Sequence, residues 1–259
     1  RLEKCSWVWF PEGNPAQSAP AGTRYFRRSV TVPAGAKVAK AVFTGTADNS
    51  FKLFINGKEA GHGDDSAEGW RNPVELDVKS HLRSGANQLA ILAVNGSITM
   101  ANPAGLIGCL SVEFEQGEPL TVPVDQSWKT SREQASGWTE LAFNDSAWVA
   151  AKETVPFGGG AWGRLASGQL TLSPVKADPF SGRCELPVGL DFKQSRIYLE
   201  VDELAPEIAA RVTVNGHYAG GIISQPLRLE VTRHLKSGDN TIGIEPFAPK
   251  TARLAIYYP

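Results

Sequence analysis

The segment 62–72 concentrates side chains whose chemistry suits a sugar ligand. Trp70 presents an aromatic plane that can stack on the apolar C–H face of a pyranose. Around it lie carboxylate, guanidinium and amide groups that can exchange hydrogen bonds with hydroxyls: Asp64, Asp65, Arg71 and Asn72. We expect a carbohydrate-binding loop here. The alternative is a solvated hairpin loop whose tryptophan folds back onto the protein core.

Two clusters of oxygen-bearing side chains fit a hard cation, and calcium is the metal they favour. Asp48 and Asn49 lie in a turn and offer two ligands. The second cluster comprises Asp64, Asp65 and Glu68. Aspartate and asparagine are also common turn formers, so a purely structural role is the alternative for both clusters. Zinc is not expected, because it needs three or four converging ligands and the chain has only four histidines.

Motifs for independent catalysis are missing from the sequence. It contains no Gly-x-Ser-x-Gly, His-Glu-x-x-His or Walker-type loop, which argues against the common hydrolase, metallopeptidase and nucleotide-binding classes. Hydrolysis of a glycosidic bond needs two carboxylates facing each other across a cleft. Neighbours such as Asp64 and Asp65 exist, but nothing in the sequence places a cleft beside them. We therefore expect no enzyme activity from this chain alone.

The remaining tryptophans divide into surface and core candidates. Trp162 follows a triple glycine and is the second exposed aromatic residue that we expect to contact sugar. Trp7 and Trp9 are two positions apart, so on a strand both face the same way, and core packing is preferred over a flat glycan platform. Trp138 and Trp148 are interpreted as packing residues.

Short apolar runs alternate with turn residues along the whole chain, which contains 26 glycines and 17 prolines. Helical periodicity is scarce. In the segment 74–78, apolar and polar residues alternate strictly, as in a strand with one face buried and one in water. The pattern predicts an all-β protein built from antiparallel β-sandwiches.

An internal repeat divides the chain. An Asn-Gly pair, a strand led by proline and a His-Leu-x-Ser-Gly turn occur in that order twice, starting at Asn56 and again at Asn215. Asn-Gly between apolar runs is typical of a tight hairpin with two residues at positive φ. His81 and His234 occupy matching positions, so we expect a shared structural role in the turn, such as a side-chain hydrogen bond. The repeat predicts two tandem jelly-roll sandwiches, residues 1–165 and a smaller one, 166–259.

The two copies differ in length and composition. The first carries six extra residues, which fall within segment 62–72, and all seven tryptophans lie at or before Trp162. If either half binds sugar, we expect it to be the first. The net charge of −1 argues against nucleic-acid binding, and no apolar stretch reaches the roughly 20 residues of a membrane-spanning helix. The three scattered cysteines, Cys5, Cys109 and Cys184, are expected to be buried and free of disulfides.

Four segments of the first half share a recognisable family pattern: WVWFPE at 7–12, YFRR at 25–28, ADNSF at 47–51, and 137–148. In these the first half resembles the non-catalytic N-terminal module of α-L-rhamnosidases. The second half is similar to the sugar-binding sandwich of the β-glucuronidase and β-galactosidase group. Both repeats resemble galactose-binding-like β-sandwiches, the jelly-roll modules attached to many bacterial glycoside hydrolases. Asn144 departs from the family pattern, which has an aspartate there.

The resemblance implies a non-catalytic pair of carbohydrate-binding modules from a secreted bacterial glycoside hydrolase of the α-L-rhamnosidase kind. Its partners would be a plant or microbial glycan and the catalytic domain of the parent enzyme, at the cell surface, in the periplasm or outside the cell. Since the chain does not begin with Met, we expect it to be a piece of a longer polypeptide. The competing function is structural docking without sugar binding. An exposed Trp70 would favour recognition, and a buried Trp70 would favour docking.

Overall fold

The computed structural model describes residues 2–65, 69–98, 101–166, 168–187, 190–202, 209–246 and 248–257. Over these residues the chain consists of antiparallel strands and four short 3-10 helices, so the all-β prediction is confirmed. Contacts between Cα atoms divide the chain into two compact units, Arg1–Leu165 and Ala166–Pro259. Within the described part, no helix is long and apolar enough to cross a membrane.

The first unit contains twelve strands and three 3-10 helices among its described residues. The strands are β1 Ser6–Trp9, β2 Gly22–Val32, β3 Val38–Asp48, β4 Ser50–Ile55, β5 Lys58–His62, β6 Val74–Asp77, β7 Gly85–Asn95, β8 Gly105–Phe114, β9 Leu120–Pro123, β10 Lys129–Ser131, β11 Val149–Ala150 and β12 Lys152–Pro156. The helices are η1 Leu2–Lys4, η2 Gly69–Arg71 and η3 Lys79–His81.

These strands form two sheets with one shared core. The first sheet has the order β12-β1-β8-β3-β6, with β9 also paired to β8, and the second has the order β11-β10-β2-β7-β4-β5. Alternate residues of each strand point inward, where they form a continuous apolar cluster that includes Trp9, Phe26, Phe43, Leu53 and Ile91. Burying each such side chain stabilises the fold by roughly 1.5–3 kcal/mol.

The outer faces of both sheets in the first unit are covered as well. On the first sheet, Trp7, Trp70 and Trp162 pack together with apolar residues of η1 and β8, and we call this group the outer tryptophan cluster. On the second sheet, Trp138 packs edge-on against Tyr25, with ring centroids 5.1 Å apart. Tyr25 and Phe26, which are adjacent on β2, therefore belong to different clusters. Trp7 and Trp9 also belong to different clusters, the outer tryptophan cluster and the core, so the expectation that both face the same way is wrong. β1 is irregular here, because its pairing with β12 shifts register between Ser6 and Val8.

The second unit contains nine strands and one 3-10 helix among its described residues. They are β13 Gly168–Thr171, β14 Ser173–Lys176, β15 Phe180–Leu186, β16 Arg196–Val201, β17 Ala210–Val214, β18 His217–Ile222, β19 Arg228–Glu230, η4 Thr232–His234, β20 Gly238–Glu245 and β21 Ala252–Tyr257. One sheet has the order β13-β21-β16-β19 and the other β14-β15-β20-β17-β18. A separate apolar core, which includes Ile197, Leu199, Val212, Ile242 and Leu254, belongs to this unit.

The Asn-Gly hairpins predicted from the repeat are present in both units. Asn56 and Asn215 both have a φ of 52°, and each is followed by a glycine at positive φ. The Asn56 side-chain amide donates to the backbone carbonyl of His81 at 3.1 Å, and that of Asn215 donates to the carbonyl of His234 at 3.0 Å. The expected turn hydrogen bond therefore uses the main chain of each histidine, whereas its imidazole has no part in it.

The cysteines are buried and free, as predicted. Cys5 and Cys109 lie in the outer tryptophan cluster, and Cys184 lies in the core of the second unit. Cys184 behaves as a small apolar side chain in its packing, whereas the Cys109 thiol also donates to the carbonyl of Leu110, with sulfur and oxygen 3.7 Å apart.

Candidate functional site

Most of the site residues predicted from sequence lie at one end of the first sandwich. At this end β1, β3, β5 and β7 finish and β2, β4, β6 and β8 begin, and we call it the rim. The register places Gly22 opposite Asn95 and Asp48 opposite Gly105, so the strand ends lie side by side. The connection from β5 to β6, which holds the sugar-binding residues predicted from segment 62–72, therefore reaches the same end as the Asp48–Asn49 turn.

The Asp48–Asn49 turn is held by hydrogen bonds from two neighbouring segments. Trp162 Nε1 donates to Asp48 Oδ2 at 2.9 Å. The backbone N–H of Gly96 donates to Asn49 Oδ1 at 2.5 Å, and the N–H of Asn49 donates to the carbonyl of Val94 at 2.6 Å. Asp48 and Asn49 are both half-buried, and a cis peptide bond joins them. The hydrogen bonds from Trp162 and Gly96 hold the two side chains in position at the rim.

Trp162 is buried, and the expectation of an exposed aromatic surface there is wrong. Its side chain is 2% exposed and stacks on Trp7, with ring centroids 4.2 Å apart and an interplanar angle of 18°. The stack fits because Gly105 has no side chain, since a Cβ at that position would lie 2.6 Å from Trp7 and 2.7 Å from Trp162. The outer face of β8 is apolar at Ile107, so Trp162 buries more apolar surface by covering it than by projecting into water.

Trp70 is also buried, and its predicted role as an exposed stacking platform is wrong in this respect. The residue is 9% exposed and packs in the outer tryptophan cluster. The guanidinium carbon of Arg71 lies 4.3 Å from the centre of the Trp70 ring, a cation–π contact. Asn72 is 1% exposed, and its backbone N–H donates to the carbonyl of Gly69 at 3.0 Å. The alternative stated from the sequence, a tryptophan folded back onto the protein, describes this geometry.

The other predicted residues of the β5–β6 connection keep part of their surface in water. Asp65 is exposed, and Asp64 and Arg71 are half-buried. A Cβ at Gly69 would lie 2.4 Å from the carbonyl oxygen of Asp64, so the chain passes very close to itself at this point. Glu68, predicted as a metal ligand, lies outside the described residues.

The oxygen atoms at the rim suit a hard cation in their chemistry. Asp48 supplies a carboxylate and Asn49 an amide oxygen, which are ligand types that calcium accepts. Asn95, at the end of β7, is 1% exposed, and its Oδ1 has no hydrogen-bond partner among the described residues. Over the same residues, no three His, Cys, Asp or Glu side chains converge to form a metal site. A calcium ion here would therefore rely largely on neutral oxygens.

A buried ion-pair network beside the rim was not predicted from the sequence. Glu12 lies in the connection from β1 to β2, and its side chain is 4% exposed. It accepts hydrogen bonds from Arg24 Nε at 2.9 Å and Trp9 Nε1 at 3.0 Å, and pairs with Arg132 at 2.8 Å. These bonds fix the connection against the sandwich. The only sequence signal was the glutamate in the WVWFPE segment, where nothing marked it as buried.

The chain is similar in sequence and in structure to an α-L-rhamnosidase. A curated α-L-rhamnosidase of Streptomyces avermitilis is 45% identical over 168 residues, which is 64% of this chain and 16% of that protein. The crystal structure of Streptomyces avermitilis α-L-rhamnosidase complexed with L-rhamnose aligns with 99% of this chain and 26% of that chain, at 31% identity and a TM-score of 0.58. The predicted resemblance to α-L-rhamnosidases is confirmed.

Other comparisons are weaker or concern the fold alone. A β-galactosidase of Aeromonas hydrophila subsp. hydrophila is 35% identical over 91 residues, which is 34% of this chain and 8% of that protein. A lectin from Pleurotus ostreatus aligns with 99% of this chain and 74% of that chain, with a TM-score of 0.57 at 23% identity, which supports the β-sandwich fold only. No family model matches the chain. The chain thus spans 16% and 8% of the length of the two curated relatives.

Proposed function

We propose that this chain is a non-catalytic, carbohydrate-binding segment of a longer glycoside hydrolase of the α-L-rhamnosidase type, acting outside the cytoplasm. The observation that carries the proposal is the Asp48–Asn49 turn, whose acceptor groups are held at the rim by hydrogen bonds from Trp162 and Gly96. Fixed polar groups lose little conformational entropy on binding, which favours recognition of hydroxyls. The α-L-rhamnosidase relative supports a sugar as the ligand class.

In this proposal a sugar binds at the rim through polar contacts. Asp48 and Asn49 accept hydrogen bonds from its hydroxyls, and Arg71 donates. Asp64 and Asp65 lie in the neighbouring β5–β6 connection. Trp70 packs against the Arg71 guanidinium, and Trp162 holds Asp48 by a hydrogen bond. Because the related α-L-rhamnosidase was crystallised with L-rhamnose, L-rhamnose and glycans that contain it are the first ligands to test. Bound calcium would supply a positive charge that attracts hydroxyl oxygens, with Asp48 and Asn49 among its ligands.

The test is calorimetric titration of the chain with L-rhamnose, with calcium and with a chelator. Asp48→Asn keeps an oxygen that can accept from Trp162 but removes the charge, and we expect it to weaken binding about tenfold or more. Asp125→Asn is the matched control, because Asp125 is another half-buried carboxylate, paired with Arg28 at 3.3 Å away from the rim. Equal affinities in the two variants would contradict the proposed site, and an unchanged affinity in chelator would remove calcium from it.

Docking on a catalytic domain is the second candidate function, and the burial of Trp70 and Trp162 favours it. In that case the outer tryptophan cluster stabilises a scaffold, and the rim has no ligand of its own. This candidate predicts that a glycan array, probed with the purified chain, gives no binding. It also predicts that the parent enzyme unfolds at lower temperature when the segment is removed. A nitrophenyl rhamnoside assay on the chain alone tests the non-catalytic part of both candidates, which expect no turnover.

A further inference from the structure

Five paired residues form a row across the outer face of one sheet of the second unit, and the pairing shifts register beside Tyr218 and beside Lys176. The register pairs Tyr218 with Thr213, Thr213 with Gly243, and Gly243 with Ser181. Ser181 is paired in turn with Lys176 on the next strand. Directly paired residues of antiparallel strands point to the same side of a sheet, so the row crosses all five strands, from β18 to β14. We call these five residues the cross-strand row.

The cross-strand row faces away from the core. The residues that flank it along the strands are buried in the apolar core of this unit: Val212, Val214, Ile242, Ile244 and Phe180. Because side chains alternate between the two faces of a strand, the row points outward. Tyr218 is 60% exposed, and Lys176 is exposed at the other end.

The middle of the row is shallow because its side chains are small. A Cβ at Gly243 would lie 2.7 Å from Thr213 Oγ1, so any side chain there would crowd this hydroxyl. Thr213 and Ser181, on either side of the glycine, each present a hydroxyl that can donate and accept. With neighbouring strands about 4.8 Å apart, the distance from Tyr218 to Ser181 is about 14 Å. The row is therefore long enough for a short oligosaccharide.

An aromatic residue with a guanidinium over one face of its ring lies at one end of the row. The guanidinium carbon of Arg211 lies 5.3 Å from the centre of the Tyr218 ring. Tyr218, Arg211 and the 80% exposed Ile223 line a shallow depression of about 420 Å³ that is open to solvent. That volume falls within the usual range of small-ligand sites. Glu245 is the cross-strand partner of Arg211, so charges of both signs lie next to Tyr218.

We propose that the cross-strand row is a second saccharide-binding surface, which takes a neutral oligosaccharide. One sugar ring stacks on the face of Tyr218 that is opposite Arg211, and the rings that follow lie over Gly243 between the hydroxyls of Thr213 and Ser181. Arg211 donates to hydroxyls of the first ring. A sugar chain fits this surface because it has an apolar face for the tyrosine and hydroxyls for the polar residues of the row. A neutral chain is favoured because Glu245 offsets the charge of Arg211. This proposal goes beyond the rim site and does not depend on it.

The experiment is a titration of the full chain with neutral oligosaccharides of one to five units, which include rhamno- and galacto-oligosaccharides. Affinity should rise with chain length, because successive rings cover more of the row. We expect Tyr218→Ala to weaken binding of the longest ligand about tenfold while leaving the affinity for free L-rhamnose unchanged. The rim variant Asp48→Asn should have the opposite pattern, so failure of either site is seen separately.

Matched arginine variants provide the control. Arg211→Gln should weaken oligosaccharide binding. Arg228 is the control, because its guanidinium carbon lies 4.7 Å from the centre of the Tyr198 ring, a similar contact on the other sheet. Arg228→Gln should leave oligosaccharide binding unchanged. Gly243→Val should also weaken binding by filling the row, and circular dichroism checks that each variant is folded. Absence of binding to every oligosaccharide, or wild-type affinity in a folded Tyr218→Ala variant, overturns the proposal.

Discussion

Replacing Trp162 by phenylalanine tests whether the outer tryptophan cluster positions the rim carboxylate. Trp162 Nε1 donates to Asp48 Oδ2 at 2.9 Å, and its ring stacks on Trp7 with centroids 4.2 Å apart. Phenylalanine keeps an aromatic ring for the stack but has no N–H group. The substitution therefore removes one hydrogen bond to a charged acceptor and a small amount of buried apolar area.

The size of the effect follows from the acceptor. A hydrogen bond to a charged group contributes about 1.5–3 kcal/mol, and the smaller ring leaves a cavity, so Trp162→Phe should lower the free energy of unfolding by about 3 kcal/mol. Trp128→Phe is the matched control, because Trp128 is fully buried and its Nε1 donates at 2.9 Å to a neutral acceptor, the carbonyl of Pro123. A neutral hydrogen bond contributes about 1 kcal/mol, so the control should lose about 2 kcal/mol.

Urea unfolding followed by circular dichroism measures both losses, and calorimetric titration with L-rhamnose measures the consequence for the rim. We expect Trp162→Phe to weaken binding, because Asp48 loses the donor that fixes it, and Trp128→Phe to bind as the wild type does. The reasoning is refuted if Trp162→Phe is no less stable than Trp128→Phe and binds L-rhamnose with the same affinity as the wild type.

Three further predictions concern stability. Arg27→Met should lower the free energy of unfolding by about 3 kcal/mol in urea titrations, because the Arg27 side chain is 1% exposed and pairs with Asp145 at 2.6 Å; a loss below 1 kcal/mol would contradict this. Asn215→Ala should cost about 2 kcal/mol through the positive φ and the lost bond to the His234 carbonyl, and Asn215→Gly, which tolerates that φ, should cost less. Burial raises the pKa of the Cys184 thiol from 9.0 to about 11, so the unfolded thiol ionises first and stability falls as the pH rises from 9 to 11. Relative to Cys184→Ala, the wild type should lose about 2 kcal/mol over this range, and parallel pH profiles would exclude the effect.

Local features of the fold could be read from the sequence because they depend on neighbouring residues. The Asn-Gly pairs at Asn56 and Asn215 predicted two hairpins, and both have the same φ and the same side-chain bond to a histidine carbonyl. The all-β class followed from alternation along short strands. The Asp48–Asn49 turn was likewise identified from its residue types, although calcium at this turn stays a prediction.

The exposure of the aromatic residues could not be read in the same way. Whether Trp70 and Trp162 face water depends on the outer face of β8, which is distant from both of them in sequence. Alternation predicts that one face of a strand is buried in a two-layer sandwich, but it carries no information about a further segment that covers the other face. The burial of Glu12 could not be predicted for the same reason, because its partner Arg132 lies far away in the sequence.

The uneven distribution of tryptophan gives the protein an intrinsic optical reporter. All seven tryptophans belong to the first unit, and Trp162 touches the rim through Asp48. Indole emission excited at long wavelength should therefore change when a sugar binds at the rim. We expect it to stay constant when a sugar binds at the cross-strand row, because the second unit contains no tryptophan. A single unlabelled sample, followed at once by fluorescence and by heat of binding, can then assign each binding event to its own half of the molecule.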